Sequence, residues 1–146
     1  MEDDRVIGGF VNTQFFVDTQ GRFIGAFGDG ATPPEGAVEV DVPPPDGRMV
    51  WAGEGWTYDP ATFQAICAAA IDAHVEATAQ AKGYNGAAHL ASYVASTVPA
   101  WAAEAQAFVA WRDAVWLAAY AMQETAVPPP AVADVIAGLP VIEWPE

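Results

Sequence analysis

Residues 37–42 read Ala-Val-Glu-Val-Asp-Val, the two-residue alternation of a strand with one covered face. Two more short strands are predicted upstream, an apolar and aromatic one over 6–18 and a shorter one over 22–27. Between them Asp18-Thr-Gln-Gly21 has the residues of a tight turn, with glycine in its last position. Pro43-Pro-Pro-Asp-Gly47 stops the third strand, after which 48–51 and 56–58 are expected to pair across Ala52-Gly-Glu-Gly55. Together these predict a small antiparallel β-meander over residues 1–58.

The period changes at Asp59-Pro60, where aspartate suits a helix cap and proline the first helical position. A helix to about residue 81 is expected to bury Phe63, Ile66, Cys67, Ala70, His74 and Ala77 along one face. Lys82-Gly83 ends it. Asn85 is the expected cap of a shorter helix over 86–96, and Pro99 opens a long one over 99–124. An extended proline spacer follows at 127–130, then a short helix over 131–137 stopped by Gly138. The tail 139–146 is read as extended, with apolar side chains that dock on something. The fold class is α+β: the β-meander followed by a bundle of three to four helices over 59–146.

The long helix carries three of the six tryptophans. At about 100° per residue, Trp101, Ala105, Phe108, Arg112 and Val115 share a narrow stripe. Glu104 and Trp111 flank it on one side and Trp116 on the other, while Gln106 and Asp113 fall on the far face. Phe108 and Trp111 are therefore expected to anchor a core. Glu104 and Arg112 are expected to be polar anchors bound to a backbone group or to a charge on a neighbouring segment, because a lone buried charge is costly. Trp101 and Trp116, near the stripe's ends, are either more core or exposed contact points for a partner.

Charge narrows the partners. Nineteen acidic residues stand against five basic ones, a net charge of −14. The basic residues are scattered, which disfavours nucleic acid and anionic membrane surfaces. The acidity serves solubility, or suits a basic protein partner. A single cysteine, Cys67, rules out an internal disulfide and a multi-cysteine zinc site. The opening Met1-Glu-Asp-Asp-Arg5 lacks the basic and apolar regions of a secretory signal, and no apolar run is long enough to span a bilayer.

Candidate chemistry is sparse. Cys67 and His74 lie two helical turns apart with no third ligand in view, and read as core residues. His89 has no carboxylate at a motif spacing and reads as a polar anchor or surface group. Gly25-Ala-Phe-Gly-Asp-Gly30 lacks the spacing of a phosphate-binding loop and leads into Ala-Thr-Pro-Pro, with no helix after it. Neither Glu2-Asp3-Asp4 nor the pair Glu39 and Asp41 matches a calcium-loop pattern. No catalytic residue, metal or cofactor is expected.

Gly83-Tyr84-Asn85, Ala91-Ser-Tyr-Val-Ala-Ser-Thr97, the segment 103–116 and the short proline-led helix ending in Leu139-Pro140 form an ordered series. The series resembles the C-terminal helical region of tailed-bacteriophage tail-fibre assembly chaperones and tail-fibre-associated proteins. Its most specific part is Glu-x-x-Ala-Phe-x-x-Trp-Arg-Asp-x-Val-Trp, from Glu104 to Trp116. In the first half, Pro34-Glu-Gly-Ala-Val-Glu39 and Trp51-Ala-Gly-Glu-Gly-Trp56 resemble the same family more loosely. Two departures stand out: Tyr84-Asn85-Gly86 replaces a Tyr-Asp-Ser turn, and the segment between Met122 and Pro128 is short.

The resemblance implies a non-enzymatic tail protein acting by protein–protein contact, with a tail-fibre or other tail protein as partner. It implies the host cytoplasm during assembly, or the virion tail, as its location, and leaves homo-oligomerisation open. The contact residues expected are Trp101, Trp116 and Trp144, with Trp51, Trp56 and Tyr58 in the first half. Two alternatives compete with a chaperone: a permanent structural component of the virion, and a carbohydrate- or receptor-binding module that stacks sugars on Trp51, Trp56 and Tyr58.

Overall fold

A computed structural model describes residues 13–125 and 131–146. The part of the first predicted strand before residue 13 and the proline spacer at 127–130 lie outside them. The fold is α+β, an antiparallel β region followed by four helices among the described residues. It divides into two compact units, Met1–Phe63 and Gln64–Glu146, so the division falls inside the first helix and not at its cap.

In the first unit, β1 (Gln14–Val17), β2 (Phe23–Phe27) and β3 (Val38–Val40) form one antiparallel sheet, and β4 (Val50–Trp51) pairs with β5 (Trp56–Thr57) in a second. The strand order is β2-β1-β3, which corrects the expected meander: β3 pairs with β1, Phe15 opposite Val40, and not with β2. The reason is apolar content. Gln14-Phe-Phe-Val17 supplies the buried Phe16 and Val17, and a strand with two covered neighbours belongs in the middle. Among its described residues Val40 is the third buried apolar side chain of this unit, and the Phe16 and Phe27 rings meet edge to face at 5.5 Å.

The turn between β1 and β2 is held twice. The Gly21 N–H donates to the Asp18 carbonyl at 3.0 Å, and Asp18 Oδ1 accepts the backbone N–H groups of Gln20 and Arg22 at 2.8 and 3.0 Å. Those donors, Arg22 first, hold the Asp18 carboxyl below its ordinary pKa. Before β4, Asp46 accepts the Arg48 guanidinium and backbone N–H together with the Tyr58 hydroxyl at 2.9 Å.

The helical elements are α1 (Pro60–Ala81), α2 (Ala87–Ala91), α3 (Pro99–Thr125) and α4 (Val132–Ala137). Asp59 caps α1 as expected, its carboxylate accepting the Thr62 N–H at 3.1 Å and the Thr62 hydroxyl at 2.7 Å. Helix α1 ends in a Schellman motif. The Tyr84 N–H reaches back to the Ala79 carbonyl at 3.2 Å and the Gly83 N–H to Gln80 at 3.0 Å, with Gly83 at φ +108°.

The buried face of α1 differs from the expected one. Ile71, Val75 and Ala79 are buried, Cys67 packs against the core, and Ala77 is exposed. Alanines all round this helix blur its period, so the branched side chains decide which face is covered. The cap of α2 is also corrected. Asn85 makes no side-chain cap; Gly86 stands at the cap position, and Glu76 from α1 accepts the Ala87 N–H at 2.6 Å. α2 stops at Ala91, earlier than expected, in a series of turns.

Ala105, Phe108, Trp111 and Val115 of α3 complete a core with Ile71, Val75, Ala79, Leu90, Val135 and Leu139. Arg112 is the outlier of the expected stripe. It pairs with its own neighbour, Asp113, at 2.9 Å, because its long stem carries the guanidinium out to water. The tail docks on its own unit. Leu139 is buried, the Trp111 Nε1–H donates to the Pro140 carbonyl at 2.8 Å, and Trp144 stacks parallel to Phe108 with centroids 6.4 Å apart.

Candidate functional site

The Schellman turn at Gly83 reverses the chain so that Tyr84 leaves α1 sideways. Glu76, by accepting the Ala87 N–H, fixes the start of α2 beside that turn. Gly86 leaves room for the carboxylate: a Cβ there would stand 2.6 Å from Glu76 Oε2. α2 and the turns after it then carry His89 and Tyr93, four residues apart. The first turns of α3 contribute Trp101 and Glu104, three apart and so on neighbouring positions of the helix surface.

These side chains line an open groove of about 370 Å³, with Lys82 and Gly83 at its rim. Four rings run through it in sequence. Tyr84 lies 5.9 Å from His89 and 5.7 Å from Tyr93, His89 lies 5.3 Å from Tyr93, and Tyr93 meets Trp101 edge to face at 5.7 Å. The rings are mutually tilted, so they form walls and not a stack. His89 Nδ1 accepts the Asn85 N–H at 3.1 Å, which orients the imidazole.

Charge in the groove is local. Glu104 Oε2 accepts the Tyr84 hydroxyl at 3.4 Å and faces the Lys82 ammonium at 3.9 Å. Glu104 thus meets the charge on a neighbouring segment expected of it. Burial first, and the Glu104 charge next, push the Tyr84 phenol above its ordinary pKa. The Lys82 ammonium also sits 5.0 Å from the centre of the Trp144 ring, a cation–π contact.

Trp101 is 47 % exposed, the most open of the tryptophans proposed as contact points on α3. Trp116 is half-buried against the core and its ring lies 6.1 Å from that of Tyr120. Tyr120 at 58 % and Leu117 at 69 % are the exposed apolar residues of that end of α3. Trp144 is half-buried and packs on Phe108 inside its own unit.

In the first unit, Trp51 and Trp56 meet at 5.4 Å with planes 71° apart, and Trp56 meets Phe23 at 6.1 Å, again edge to face. The Trp56 Nε1–H donates to the Val42 carbonyl at 2.9 Å. Tyr58 is held by Asp46, with the Arg48 guanidinium 5.8 Å from its ring centre. The three expected platform residues are half-buried, and the two tryptophan rings meet edge to face.

His74 lies edge-on to Trp111 at 5.7 Å, and burial pushes the Cys67 thiol above its ordinary pKa, as suits helix residues packed toward a core. Among the described residues no group of three or more His, Cys, Asp or Glu side chains is placed to hold a metal ion. Among them too, no helix is long and apolar enough to cross a membrane.

Sequence reasoning placed Trp101 and Glu104 but missed Lys82, Tyr84, His89 and Tyr93 as their companions. The signal was an aromatic at 84, 89, 93 and 101 on either side of two helix boundaries, and it becomes a site only when the Gly83 reversal is known. No protein-family model, curated protein or solved structure matches the chain.

Proposed function

We propose that this protein works by protein–protein contact, as a bacteriophage tail-fibre assembly chaperone or fibre-associated adaptor, with the groove of the helical unit as its contact surface. The observation that carries the reading is the half-open Trp101 on an aromatic wall with Tyr84 and Tyr93. Exposed aromatics backed by packed neighbours are the usual anchors of protein interfaces. The resemblance of the segment Glu104–Trp116 and its flanks to the tail-fibre chaperones supplies the partner class. Trp116, with Tyr120 and Leu117, supports a second patch of contact on the same helix.

Co-expression with a tail-fibre protein tests this. The expected outcome is more soluble, assembled fibre with the protein than without it, and less with Trp101→Ala. Unchanged fibre solubility together with no co-purification sinks the reading. Mass spectrometry of purified particles then separates its two forms: absence from the particle marks a chaperone, a symmetric copy number a permanent component. A carbohydrate platform at Trp51, Trp56 and Tyr58 draws no support from rings that meet edge to face.

A further inference from the structure

We propose that the groove between the end of α1, α2 and the start of α3 binds the guanidinium of an arginine side chain presented by the partner, an inference that rests on the contact reading above. Three features favour a cation. Tyr84, Tyr93 and Trp101 surround the groove with ring faces at an angle to one another, and the face of each ring is its electronegative side. Glu104 stands among them, and among the described residues its polar contacts fall on Oε2, leaving Oε1 to a further donor. The whole chain carries −14, which draws cationic segments and repels anionic ones.

The groove already holds a cation at its rim by the same means. Lys82 lies between the Trp144 ring and Glu104, at 5.0 and 3.9 Å. Its distance to Glu104 is too long for a hydrogen bond, so a guanidinium reaching the carboxylate displaces a weak contact. Arginine suits this place better than lysine does. Its plane stacks on tyrosine and tryptophan faces, it is less strongly hydrated, and its fork of donors matches a carboxylate.

The test is a titration of the 15N-labelled full chain with N-acetyl-arginine N-methylamide, followed at the Trp101 indole N–H. The uncharged citrulline counterpart, of nearly the same shape, and inorganic phosphate are titrated in parallel. A saturable Trp101 shift is expected with arginine, and an affinity at least about fivefold weaker with citrulline. Glu104→Gln should weaken arginine binding, and so should Trp101→Ala, followed at the Tyr84 and Tyr93 backbone amides because that variant lacks the indole. Lys82→Met should strengthen it by removing the competing ammonium, and Gln123→Ala, at an exposed position near the end of α3, should leave it unchanged. Melting temperatures of the variants check that each is folded.

Equal binding of citrulline, a stronger response to phosphate, or no Trp101 shift with arginine overturns the proposal. The two readings fail separately. If Trp101→Ala abolishes fibre assembly while arginine does not bind, the arginine site is lost and the contact function stands. If arginine binds as expected and fibre assembly is indifferent to Trp101, the site stands and its assignment to fibre assembly is lost.

Discussion

Among the described glycines of the β unit, Gly21 has the most crowded position. Its φ is +83°, and a Cβ there would lie 2.4 Å from the Trp51 carbonyl oxygen, on backbone that is itself fixed by a hydrogen bond, the Trp51 N–H donating to the Gly21 carbonyl at 2.7 Å. Neither partner can yield as a side-chain tip would. Gly21→Ala should therefore cost about 1–3 kcal/mol of stability, as strained backbone does. Urea denaturation followed at the Trp51 and Trp56 indole N–H resonances measures it, and an unchanged midpoint would contradict the placement. Asp46 makes a different kind of residue-scale prediction. Its donors, the Arg48 guanidinium first, then the Arg48 N–H and the Tyr58 hydroxyl, hold the carboxyl far below its ordinary value of 3.8. A depressed folded pKa gives stability that is present above the unfolded value and is lost as pH falls through the folded one. Asp46→Asn should accordingly lower the melting temperature at neutral pH, with the gap to the natural chain closing below about pH 3.9. A gap that persists undiminished at pH 2 would place the effect outside this carboxylate.

At the scale of elements, the tail shows how a single donor can fix a segment with no regular structure. Residues 140–146 contribute no strand or helix, and the Trp111 Nε1–H to the Pro140 carbonyl ties their start to α3. Trp111→Phe keeps most of the buried ring and removes the donor. It should cost about 1 kcal/mol and speed proteolysis in the tail. A nicking rate equal to that of the natural chain would mean that the Trp144–Phe108 stack alone holds it. Element ends were the most legible part of the sequence, because caps and stops are local chemistry: Asp59-Pro60, Lys82-Gly83, Pro99 and Gly138 all mark the observed boundaries. What was illegible depended on distant partners. The order β2-β1-β3 follows from which strand is covered twice, and the α2 cap comes from Glu76 ten residues before Gly86. Arg112 shows a third limit. Backbone rotation gives the direction of a Cβ, whereas a long side chain places its charge several ångströms away.

For the whole molecule, the distribution of buried apolar residues between the two units sets what each can do. Every member of the helical core lies between Ile71 and Leu139, whereas the β unit buries Phe16, Val17 and Val40 among its described residues. Two- and three-stranded sheets with so few buried side chains are marginal in water. The candidate groove belongs entirely to the helical unit, and its walls come from segments that the same core positions: Leu90 of α2 and Ala105 of α3 are fully buried. Its legibility was limited for the same reason, since Tyr84, Tyr93 and Trp101 meet only after α1, α2 and α3 have packed. A fragment of residues 59–146, which keeps the Asp59 cap, should therefore fold and carry the groove, while 1–58 should not show a cooperative transition by itself. Circular dichroism checks the first half of that expectation: helical signal with one sigmoidal melt. The Trp101 indole resonance checks that the fragment carries the groove, because it should match that of the full chain only if Tyr93 is in place beside it, and a melt of 1–58 without a sigmoidal transition checks the other half. A helical fragment that melts without cooperativity would mean that the core from Ile71 to Leu139 needs the β unit to form.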